Sequence, residues 1–480
     1  MCLVAGGLGS NLRDRSIVMI NAGKHRGEDS FGVWTDEGVL KSSDFSKVPE
    51  MPDGKIGLIQ CRLAMTGSLG FTQPFVNELA LVHNGEIYNH RELRTWLEGR
   101  GVSFKTDVDS EVILRLIEFF LDRGLDAFGA VRKAMLMMEG DYAVAFSDGE
   151  RIHLFRDPLG VRPLYRSPEG FFASEKKVLW AIGQEAIPVE PGELVTISRE
   201  GVEVRKVLRL EELRRKPFDP ERAVKAIGRA LTCSVRHRVG KKTGVLFSGG
   251  LDSSLVALIA SEYSDVVLYT AGVEGSPDIE WARLAADRLG LELREYVFDL
   301  DDVMEAVPRV AFAIEEPNPM NLAIGIPLYF ATRLARDDGV KVLLSGQGAD
   351  ELFGGYAKYL ERPELMEEDL KGLGERNLAR DDKIAMMNSV EGRFPFLSLS
   401  VVSAAINTPL DAKISGGVRK AVLRKAALEL GLPKEIAMRE KKAAQYGSGS
   451  QKLLEKLAKS EGLGLREYAE KVFREIFKRE

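Results

Sequence analysis

The pattern of hydrophobic and polar positions divides the chain into two halves. In the first half, short apolar or alternating runs such as IGLIQCRLAM, LALVHNGEIY and DYAVAFSDG are bounded by Gly, Asp or Asn, which predicts strands. Apolar residues recur at helical spacing over Arg91 to Gly99 and over Asp109 to Arg123. We therefore expect an α+β fold of antiparallel sheets with helices packed outside them.

The second half alternates strands with amphipathic helices. GVLFSGG, VVLYTAGV and VKVLLSGQG each predict a buried strand that ends in glycine, the first covering Gly244 to Phe247. This alternation is typical of an α/β domain, a parallel sheet with helices on both faces. The charged segment RKVLRLEELRRKPFDPERA offers few positions for burial and predicts a linker. The predicted domains are residues 1–205 and 223–480, joined by the linker 206–222.

Composition excludes several classes of protein. With 480 residues, 45% hydrophobic and 29% charged, the chain is expected to be soluble and globular. It has neither an apolar run of the roughly 18 residues that span a bilayer nor a signal-peptide core, so we expect a cytoplasmic protein without a membrane partner. A net charge of −5 with interspersed basic residues disfavours nucleic acid as a partner. Cysteine and histidine spacings disfavour structural zinc and a disulfide framework.

The stretch GVLFSGGLDSSLVALIASEY predicts an anion site in the second half. A glycine turn at 248–250 joins the strand to a helix, whose first N–H groups and positive dipole end face whatever lies above the turn. Ser248, Ser253 and Ser254 add hydroxyl donors. Asp252 is out of place beside a phosphate unless a divalent cation lies between them, which predicts Mg²⁺.

The same loop carries a family resemblance. SGGLDSS is similar to the SGGxDS pyrophosphate loop of the ATP pyrophosphatase superfamily, which cuts ATP between its α and β phosphates, and no GxxxxGK[ST] loop is present. The blocks AGVEGSPDIEWARLAADRLG, LLSGQGADELFGGY and DDKIAMMNSVEGRFPFL resemble those of asparagine synthetases, in the same order. The resemblance implies an adenine nucleotide alpha hydrolase-like fold for the second domain. Asp350 would then share Mg²⁺ with Asp252.

The resemblance also implies which residues contact the nucleotide and the acceptor. The residues expected to bind ATP are Leu246, Ser248, Gly249, Gly250, Leu251, Asp252, Ser253, Ser254, Ala271, Val273, Ser345 and Gly346. Those expected near the acceptor acid or its adenylate are Gln347, Asp350 and Lys441.

The first residues of the chain pose a separate question. Taken alone, Cys2 is better explained as a small hydrophobe at the start of a strand than as a nucleophile. However, RGEDSFG (26–32), RLAMTG (62–67), LVHNGEIYNHRELR (81–94), DVDSEVIL (107–114) and RDPLGVRPLY (156–165) resemble the blocks of class II glutamine amidotransferases, which are N-terminal nucleophile hydrolases. Cys2 is therefore the predicted nucleophile, with its α-amine as base once Met1 is removed.

The resemblance assigns roles to the residues around Cys2. The Asn84 side chain and the Gly85 backbone N–H would stabilise the oxyanion. Arg62 would pair with the carboxylate of glutamine, and Asp109, with Glu86 beside it, would bind its ammonium group. From the residues alone, Arg62 and Asp109 could instead form surface ion pairs, and Asn84-Gly85 could be a hairpin turn.

Together these features resemble a glutamine-hydrolysing asparagine synthetase. The implied substrates are glutamine, aspartate and ATP, the products are asparagine, glutamate, AMP and pyrophosphate, and Mg²⁺ is the cofactor. A homodimer is one assembly that the resemblance allows. The alternatives are an amidotransferase of the same family that acts on another carboxylate, and a catalytically silent nucleotide-binding paralogue.

One departure from the family pattern bears directly on the chemistry. Gln347 stands where the family has a glutamate thought to act near the acyl acceptor, and a glutamine side chain does not accept a proton. Three explanations are open: another carboxylate, such as Glu351 or Glu316, substitutes, ammonia needs little help from a base, or the acceptor is a different acid.

Overall fold

A computed structural model describes residues 2–63, 71–439 and 447–478. The described residues form two compact units, one ending at Glu212 and the other beginning at Leu213. The division falls inside the segment 206–222 predicted as a linker.

Two antiparallel sheets and their covering helices make up the described part of the first unit. The strands are β1 (Cys2–Leu8), β2 (Ser30–Thr35), β3 (Gly38–Ser42), β4 (Ile56–Arg62), β5 (Phe75–Val76), β6 (Ala80–Ile87), β7 (Gly140–Ser147), β8 (Ile152–Arg156), β9 (Tyr165–Arg166), β10 (Phe171–Ala173), β11 (Ile187–Pro188), β12 (Glu193–Ser198) and β13 (Gly201–Lys206). The helices are α1 (Leu12–Gly23), α2 (His90–Glu98), α3 (Asp109–Leu121), α4 (Ala127–Met137) and α5 (Lys176–Ala181).

The two sheets pack face to face with helices on their outer faces. One sheet has the strand order β11-β9-β10-β1-β4-β2-β3, and the other has the order β13-β12-β8-β7-β6-β5. Leu3 and Ala5 of β1 pack with the buried side chains of α1 and α5, whereas Val4 packs with residues of the second sheet. Successive side chains of a strand point to opposite faces, so a strand inside this sandwich must be apolar on both. This explains the continuous apolar run at the start of the chain.

The predicted helix bounds shift slightly in the structure. The first predicted helix forms as α2, one residue earlier at each end, and the second, α3, ends at Leu121 rather than Arg123. Gly124 has φ +81°, and the Leu125 N–H bonds to the Phe120 carbonyl at 3.3 Å, the arrangement that commonly terminates helices. The glycine therefore stops the helix before its apolar pattern ends.

The predicted linker is packed more closely than its composition indicated. Val207 and Leu208 are buried in the core of the first unit, where both backbone N–H groups donate to the Gly192 carbonyl. The Phe218 N–H donates to the Asn407 carbonyl of the second unit's own fold. A short apolar pair inside a charged run gives no periodic signal, so the sequence did not identify these two positions as buried.

The second unit is a parallel sheet surrounded by helices. Its strands are β14 (Lys242–Leu246), β15 (Asp265–Gly272), β16 (Glu292–Val297), β17 (Val342–Leu344) and β18 (Glu391–Arg393). Its helices are α6 (Pro220–Arg238), α7 (Leu251–Ser261), α8 (Pro277–Leu289), α9 (Leu300–Ile314), α10 (Pro319–Asp337), α11 (Ala349–Phe353), α12 (Leu365–Leu373), α13 (Ala379–Met387), α14 (Leu399–Ile406), α15 (Leu410–Lys413), α16 (Ala421–Glu429), α17 (Lys434–Ala437), α18 (Ser450–Ser460) and α19 (Leu465–Phe477). A π-helical turn, Gly374–Leu378, joins α12 to α13.

Strand register brings three loops of this sheet to one edge. The strand order is β16-β15-β14-β17-β18, with every pair parallel. Leu246 lies opposite Tyr269, and Val245 lies opposite Leu344, so β14, β15 and β17 end close together. The carboxyl edge of a parallel sheet is where α/β proteins bind ligands. The predicted strand at 244–247 is present, but β14 begins two residues earlier and ends at Leu246.

None of the helices in the described ranges is long and apolar enough to cross a bilayer.

Candidate active sites

Cys2 lies at the start of β1, in contact with residues from both sheets. It pairs in register with Arg62 of β4, and its backbone N–H donates to Asn84 Oδ1 of β6 at 3.0 Å. All three residues are buried, with 7% of Cys2 exposed. Three residues that the sequence assigned to one site are therefore neighbours in space.

Asn84 presents an unused hydrogen-bond donor in this site. Its Nδ2 is buried and has no hydrogen-bond partner among the described residues. Leaving a buried donor unpaired costs about 1–3 kcal/mol. Such a donor is therefore typical of a site where a ligand atom accepts the hydrogen bond. Because Asn84 and Gly85 lie inside β6, the alternative of a hairpin turn is wrong.

Gly85 is required by the backbone at this point. It has φ +143°, and a Cβ atom there would lie 1.9 Å from the Asp141 carbonyl oxygen of the neighbouring strand β7. A side chain at residue 85 would push β6 away from β7 and move Asn84 with it.

Asp109 is anchored to the strand that carries Asn84. Its Oδ2 accepts the Ile87 N–H at 2.9 Å and lies 3.8 Å from His83 Nδ1. Asp109 and Glu86 are both buried, at 2% and 4% exposure. Because Arg62 is also buried, the surface ion pairs that the residues alone allowed are wrong for Arg62 and for Asp109.

A buried ion cluster holds the backbone of Cys2 from the other side. Arg26 Nε donates to the Cys2 carbonyl at 3.2 Å, while Arg26 Nη1 donates to Glu175 Oε1 at 2.8 Å. Glu175 also meets Lys177 Nζ at 2.6 Å and His25 Nε2 at 3.0 Å. Burial alone would raise the pKa of Glu175, but Lys177, His25 and Arg26 together hold it well below its usual range. Sequence reasoning missed Glu175, which lies outside the quoted blocks.

Cys61 is a second thiol near Cys2, opposite Leu3 in the pairing of β1 with β4. Burial, with a contribution from Cys2, raises the pKa of the Cys61 thiol far above its usual range. The thiolate is the reactive form of cysteine, so Cys61 is unreactive and serves as a small core residue.

The second site is a cavity of about 790 Å³ at the carboxyl edge of the parallel sheet. The lining includes these residues predicted to contact the nucleotide, the acceptor or the metal: Leu246, Ser248, Gly250, Leu251, Asp252, Ser253, Ala271, Ser345, Gly346, Gln347 and Asp350. The ends of β14, β15 and β17 therefore converge on one cavity, as their register requires.

Three predicted nucleotide contacts lie outside the described lining. Gly249 has φ +63°, and its backbone packs against the Trp281 carbonyl, which a Cβ atom would approach to 2.3 Å. Ser254 is fully buried in α7, and its Oγ has no hydrogen-bond partner among the described residues. Val273 follows β15. Lys441 lies outside the described residues, so its predicted role remains a sequence prediction.

The start of α7 offers backbone N–H groups to the cavity. Gly250 is the N-cap and has no side-chain capping hydrogen bond, and Leu251, Asp252 and Ser253 of the first turn all line the cavity. Gly346 approaches this turn so closely that a Cβ atom would lie 2.8 Å from Asp252 Cβ. Uncapped N–H groups and the positive end of the helix dipole make this an anion site.

Lys420 joins the two predicted metal ligands. Its Nζ lies 2.6 Å from Asp252 Oδ2 and 2.7 Å from Asp350 Oδ1, and Lys420 is 3% exposed. Asp252 Oδ1 is also buried and accepts no hydrogen bond from the described residues. Sequence reasoning missed Lys420, which lies 168 residues from Asp252.

The positively charged side chain of Arg439 lies directly against the glycine turn. Arg439 Nη1 donates to the Ser248 carbonyl at 2.7 Å, and its guanidinium lies 4.7 Å from the centre of the Trp281 ring. Arg424 Nη2 donates to the Arg439 carbonyl at 3.1 Å and so helps to place the residue. Arg439 belongs to the same C-terminal block, REKKAAQYGSG, as the predicted Lys441.

One wall of the cavity is apolar. The side chains that form it come mainly from α10: Met320, Ile324, Pro327, Leu328 and Ala331, which lie with Leu246 and Ala271. The cavity thus has a polar, positively charged end at the glycine turn and an apolar wall suited to a planar ring.

Two family models match the chain and together cover most of it. The model described as asparagine synthase matches residues 226–367 and 360–477, and the model described as a glutamine amidotransferase domain matches residues 1–207. The chain belongs to the asparagine synthase family. The family resemblance expected from the sequence motifs is confirmed.

Relatives in distant organisms agree with this membership. The chain is 37% identical to "Putative asparagine synthetase [glutamine-hydrolyzing] 1" of Methanocaldococcus jannaschii, over 93% of each chain. It is 32% identical to "Probable asparagine synthetase [glutamine-hydrolyzing]" of Schizosaccharomyces pombe, over 81% of this chain and 76% of that one.

A solved glutamine phosphoribosylpyrophosphate amidotransferase from B. subtilis aligns with a TM-score of 0.39 at 20% identity, covering 57% of this chain and 67% of that one.

The predicted fold class is confirmed for both halves of this asparagine synthase family member. Antiparallel sheets with outer helices form the amidotransferase half, and a parallel five-stranded sheet forms the synthase half.

The hydrogen-bond partner of Gln347 was not predicted from the sequence. Of the two carboxylates considered as substitutes, Glu351 accepts the Tyr356 hydroxyl at 2.9 Å, and Glu316 accepts the Asn321 side chain. Gln347 Nε2 instead donates to Asp381 Oδ2 at 3.2 Å. Asp381 lies within the quoted block DDKIAMMNSVEGRFPFL, but no spacing in the sequence pointed to it.

Proposed function

We propose that this chain makes asparagine in two sites, hydrolysing glutamine at Cys2 and using ATP to activate aspartate in the cavity of the second unit. The observation that carries the proposal is the contact between the Cys2 backbone N–H and Asn84 Oδ1. It holds a nucleophile beside a buried amide donor without a partner among the described residues, the combination that amide hydrolysis requires.

The first reaction uses both functional groups of Cys2. Once Met1 is removed, the α-amine of Cys2 can take the proton of the thiol on the same residue. The thiolate attacks the side-chain amide carbon of glutamine, and Asn84 Nδ2 donates to the oxyanion that forms. The amine then returns its proton to the departing ammonia. Water hydrolyses the resulting thioester to glutamate.

Buried charges around Cys2 would select glutamine. Arg62, opposite Cys2, presents a guanidinium that suits the α-carboxylate through a bidentate pair. Asp109 and Glu86 would receive the ammonium group. Because Asp109 Oδ2 already accepts the Ile87 N–H, the carboxylate is held in place before the substrate arrives.

The polar end of the second cavity would bind the phosphates of ATP. The uncapped first turn of α7 and the guanidinium of Arg439 both lie at that end, where they would contact anionic oxygens. The apolar wall from α10 suits the purine ring. The β-carboxylate of aspartate attacks the α-phosphorus, pyrophosphate leaves, and the aspartyl adenylate is then attacked by ammonia.

The donor set fits Mg²⁺, which accepts oxygen ligands and is often held by one or two carboxylates together with substrate phosphates. Asp252 Oδ1 is a buried oxygen with no hydrogen bond from the described residues, and Asp350 lies across Lys420 from it. Residues 2–63, 71–439 and 447–478 contain no cluster of three or more His, Cys, Asp or Glu side chains placed to hold a metal. Asp252 and Asp350 would therefore hold Mg²⁺ together with ATP, where the ion would neutralise phosphate charge.

A product assay with purified protein tests the proposal. Glutamine, aspartate, ATP and Mg²⁺ should give asparagine, glutamate, AMP and pyrophosphate. Release of ADP in place of AMP would reject the pyrophosphatase chemistry. If aspartate gives no product but another acid does, the alternative of a different carboxylate substrate is correct, and no AMP with any acid would indicate a silent paralogue.

Two variants separate the sites. Cys2→Ala should abolish glutamine-dependent synthesis and leave ammonia-dependent synthesis intact. Asp252→Asn should stop AMP formation, while glutamine hydrolysis continues. Loss of both activities in either variant would contradict the two-site scheme. Mass spectrometry of the active enzyme should find Cys2 as the first residue.

The remaining expectations from the sequence are also proposals: a cytoplasmic protein that binds neither nucleic acid nor membrane and that assembles as a homodimer. Sedimentation of the purified chain tests the assembly.

A further inference from the structure

Gln347 and Asp381 meet on the wall of the synthase cavity. Gln347 lies in the loop after β17, two residues beyond Ser345, and Asp381 lies in the first turn of α13. Gln347 Nε2 donates to Asp381 Oδ2 at 3.2 Å, and both side chains line the cavity. A carboxylate is therefore present within one hydrogen bond of the position where the chain has an amide.

The two oxygens of Asp381 have different partners. Oδ1 faces Arg380, at 2.8 Å from Nε and 2.7 Å from Nη2. Among the described residues, Oδ2 receives a hydrogen bond only from Gln347, a neutral group. Because a carboxylate oxygen can accept two hydrogen bonds, Oδ2 retains capacity for a proton or a ligand N–H.

A chain of contacts fixes the direction of this carboxylate. Arg380 Nη1 donates to Asn321 Oδ1 at 3.0 Å, and Asn321 Nδ2 donates to Glu316. One turn along α13, Lys383 Nζ meets Glu315 Oε2 at 2.6 Å in a fully buried pair. These contacts join α13 to the segment between α9 and α10, so Asp381 is held in place without substrate.

The other acidic side chains of the cavity have different surroundings. Asp252 and Asp350 share Lys420, while Asp369 is 2.5 Å from Lys358 Nζ and 2.9 Å from Arg376 Nη1.

Two further acids of the lining are also engaged. Glu351 accepts the Tyr356 hydroxyl, and Asp278 lies 3.7 Å from Arg439 Nη2. Asp381, in comparison, has the cation Arg380 on one oxygen and the neutral amide of Gln347 on the other.

Burial raises the pKa of the Asp381 carboxyl, and Asp382 adds to the rise. Arg380 and the hydrogen bond from Gln347 act in the opposite direction without cancelling it. From the segment between α9 and α10, the charged groups Glu315 and Glu316 face Lys383 and Asn321. A carboxylate with a raised pKa is a stronger base than an ordinary aspartate.

We propose that Asp381 is the base for the attack of ammonia on the aspartyl adenylate, and that Gln347 is a positioning residue that orients it. This inference rests on the proposed synthesis of asparagine. It explains how a chain with glutamine at residue 347 handles the proton that the amide product must lose.

Ammonia becomes the amide nitrogen of asparagine, and one proton and AMP are released. The lone pair of ammonia forms a bond to the adenylated carboxyl carbon, and the carbonyl π pair moves to its oxygen. The nitrogen, now carrying a positive charge, transfers one proton to Asp381 Oδ2. The oxygen pair re-forms the carbonyl, the bond from carbon to the phosphate oxygen breaks, and its electron pair leaves with AMP. Asp381 then releases the proton to solvent.

Asp381→Asn tests the base, with ammonia as nitrogen donor so that the glutamine site is not involved. We expect aspartate-dependent exchange of pyrophosphate into ATP to stay within about threefold of wild type, because adenylation precedes the step. Asparagine synthesis should fall by about 100-fold or more, the usual contribution of a general base. The acidic limb of its pH profile, corrected for the fraction of ammonia that is unprotonated, should disappear.

Exchanging the carboxylate and the amide between residues 347 and 381 tests whether synthesis needs a carboxylate in this part of the cavity. The double variant Gln347→Glu/Asp381→Asn keeps one acid and one amide in contact, with their positions reversed. We expect its synthesis to recover by about tenfold or more over Asp381→Asn. Asp369→Asn, on the same cavity but held by Lys358 and Arg376, is the matched control and should stay within about threefold of wild type.

Gln347→Met tests the positioning role. The hydrogen bond from Gln347 lowers the pKa of Asp381. Its loss should therefore move the acidic limb of ammonia-dependent synthesis to higher pH, which a purely structural role would not do. An unmoved limb would contradict the role given to Gln347.

Three results would overturn the inference. These are wild-type synthesis by Asp381→Asn, an equal loss of exchange and synthesis in that variant, and a double variant no more active than Asp381→Asn. Failure of the proposed function looks different, because the wild-type protein itself would then show no aspartate-dependent exchange.

Discussion

Asn84 receives the backbone N–H of Cys2 on its Oδ1 and presents its Nδ2 to the interior without a partner among the described residues. One side chain thus anchors the amine of the predicted nucleophile and supplies a donor for the oxyanion. The amide orientation follows from the contact, since only the oxygen can accept the Cys2 N–H.

Asn84→Asp should separate these two roles. The aspartate keeps an acceptor for the Cys2 N–H but removes the Nδ2 donor. We expect kcat for glutamine hydrolysis to fall by about 100-fold to 1,000-fold, as when an oxyanion-hole donor is lost elsewhere. Glutamate release measures it. Ammonia-dependent synthesis in the same preparation is the control, and an unchanged glutaminase rate would remove Asn84 from the oxyanion site.

Gly85→Ala should be far more damaging than alanine at another glycine with positive φ. A Cβ at residue 85 would lie 1.9 Å from the Asp141 carbonyl, whereas Gly124, at φ +81°, has nothing within 4 Å of a built Cβ. We expect Gly124→Ala to cost about 1–2 kcal/mol from backbone strain alone. Gly85→Ala should cost about 3 kcal/mol or more and abolish glutaminase activity. Denaturant unfolding checks both, and equal losses would contradict the packing argument.

Lys420→Met should expose the repulsion between two carboxylates. Without the ammonium, Asp252 and Asp350 face each other with no compensating charge, and breaking such a buried pair costs about 3–5 kcal/mol. Added Mg²⁺ should therefore raise the melting temperature of Lys420→Met more than that of wild type, because the ion binds only the folded state.

Lys358→Met is the matched control for that variant. Lys358 is 48% exposed and pairs with Asp369 on the same cavity, so its loss should cost less than about 1 kcal/mol. The same Mg²⁺ response in wild type, Lys420→Met and Lys358→Met would show that Lys420 does not occupy a cation position.

His153 should make the stability of the first unit depend on pH. Its ring stacks on Phe146 at 4.7 Å, and Nδ1 lies 3.0 Å from Thr196 Oγ1. Burial lowers the pKa of His153 to about 4, from an ordinary value of 6.5. The unfolded chain therefore takes up the proton first as the pH falls, and stability decreases between about pH 6.5 and pH 4.

The His153→Gln variant isolates this effect. Between pH 7 and pH 5 the free energy of unfolding of wild type should fall by about 2 kcal/mol more than that of the variant. Chemical denaturation at the two pH values measures the difference, and NMR titration of labelled histidine should give a pKa of about 4 for the ring. Parallel losses in both proteins would contradict a depressed pKa.

Local motifs determined much of the site in advance. The glycine turn at 248–250 was identified from its place between a strand and a helix, and Asn84, Gly85 and Gly346 were identified from the family resemblance of the motifs that contain them. The same motifs placed Cys2, Arg62 and Asp109 in one site, and the register of β1 against β4 and the contacts of β6 are what bring them together.

Only the tertiary structure decided the partners of these residues. Glu175 is 149 residues from Arg26, and Lys420 is 168 residues from Asp252, so no spacing along the chain could pair them. Asp381 was hidden for a different reason, because an aspartate in a charged helix reads as a solvated residue until packing buries it against Gln347. The sequence by itself determined which backbone shapes and which chemistry this chain carries. Folding decided which charges are buried together, since charge pairing depends on distance in space and not on order along the chain.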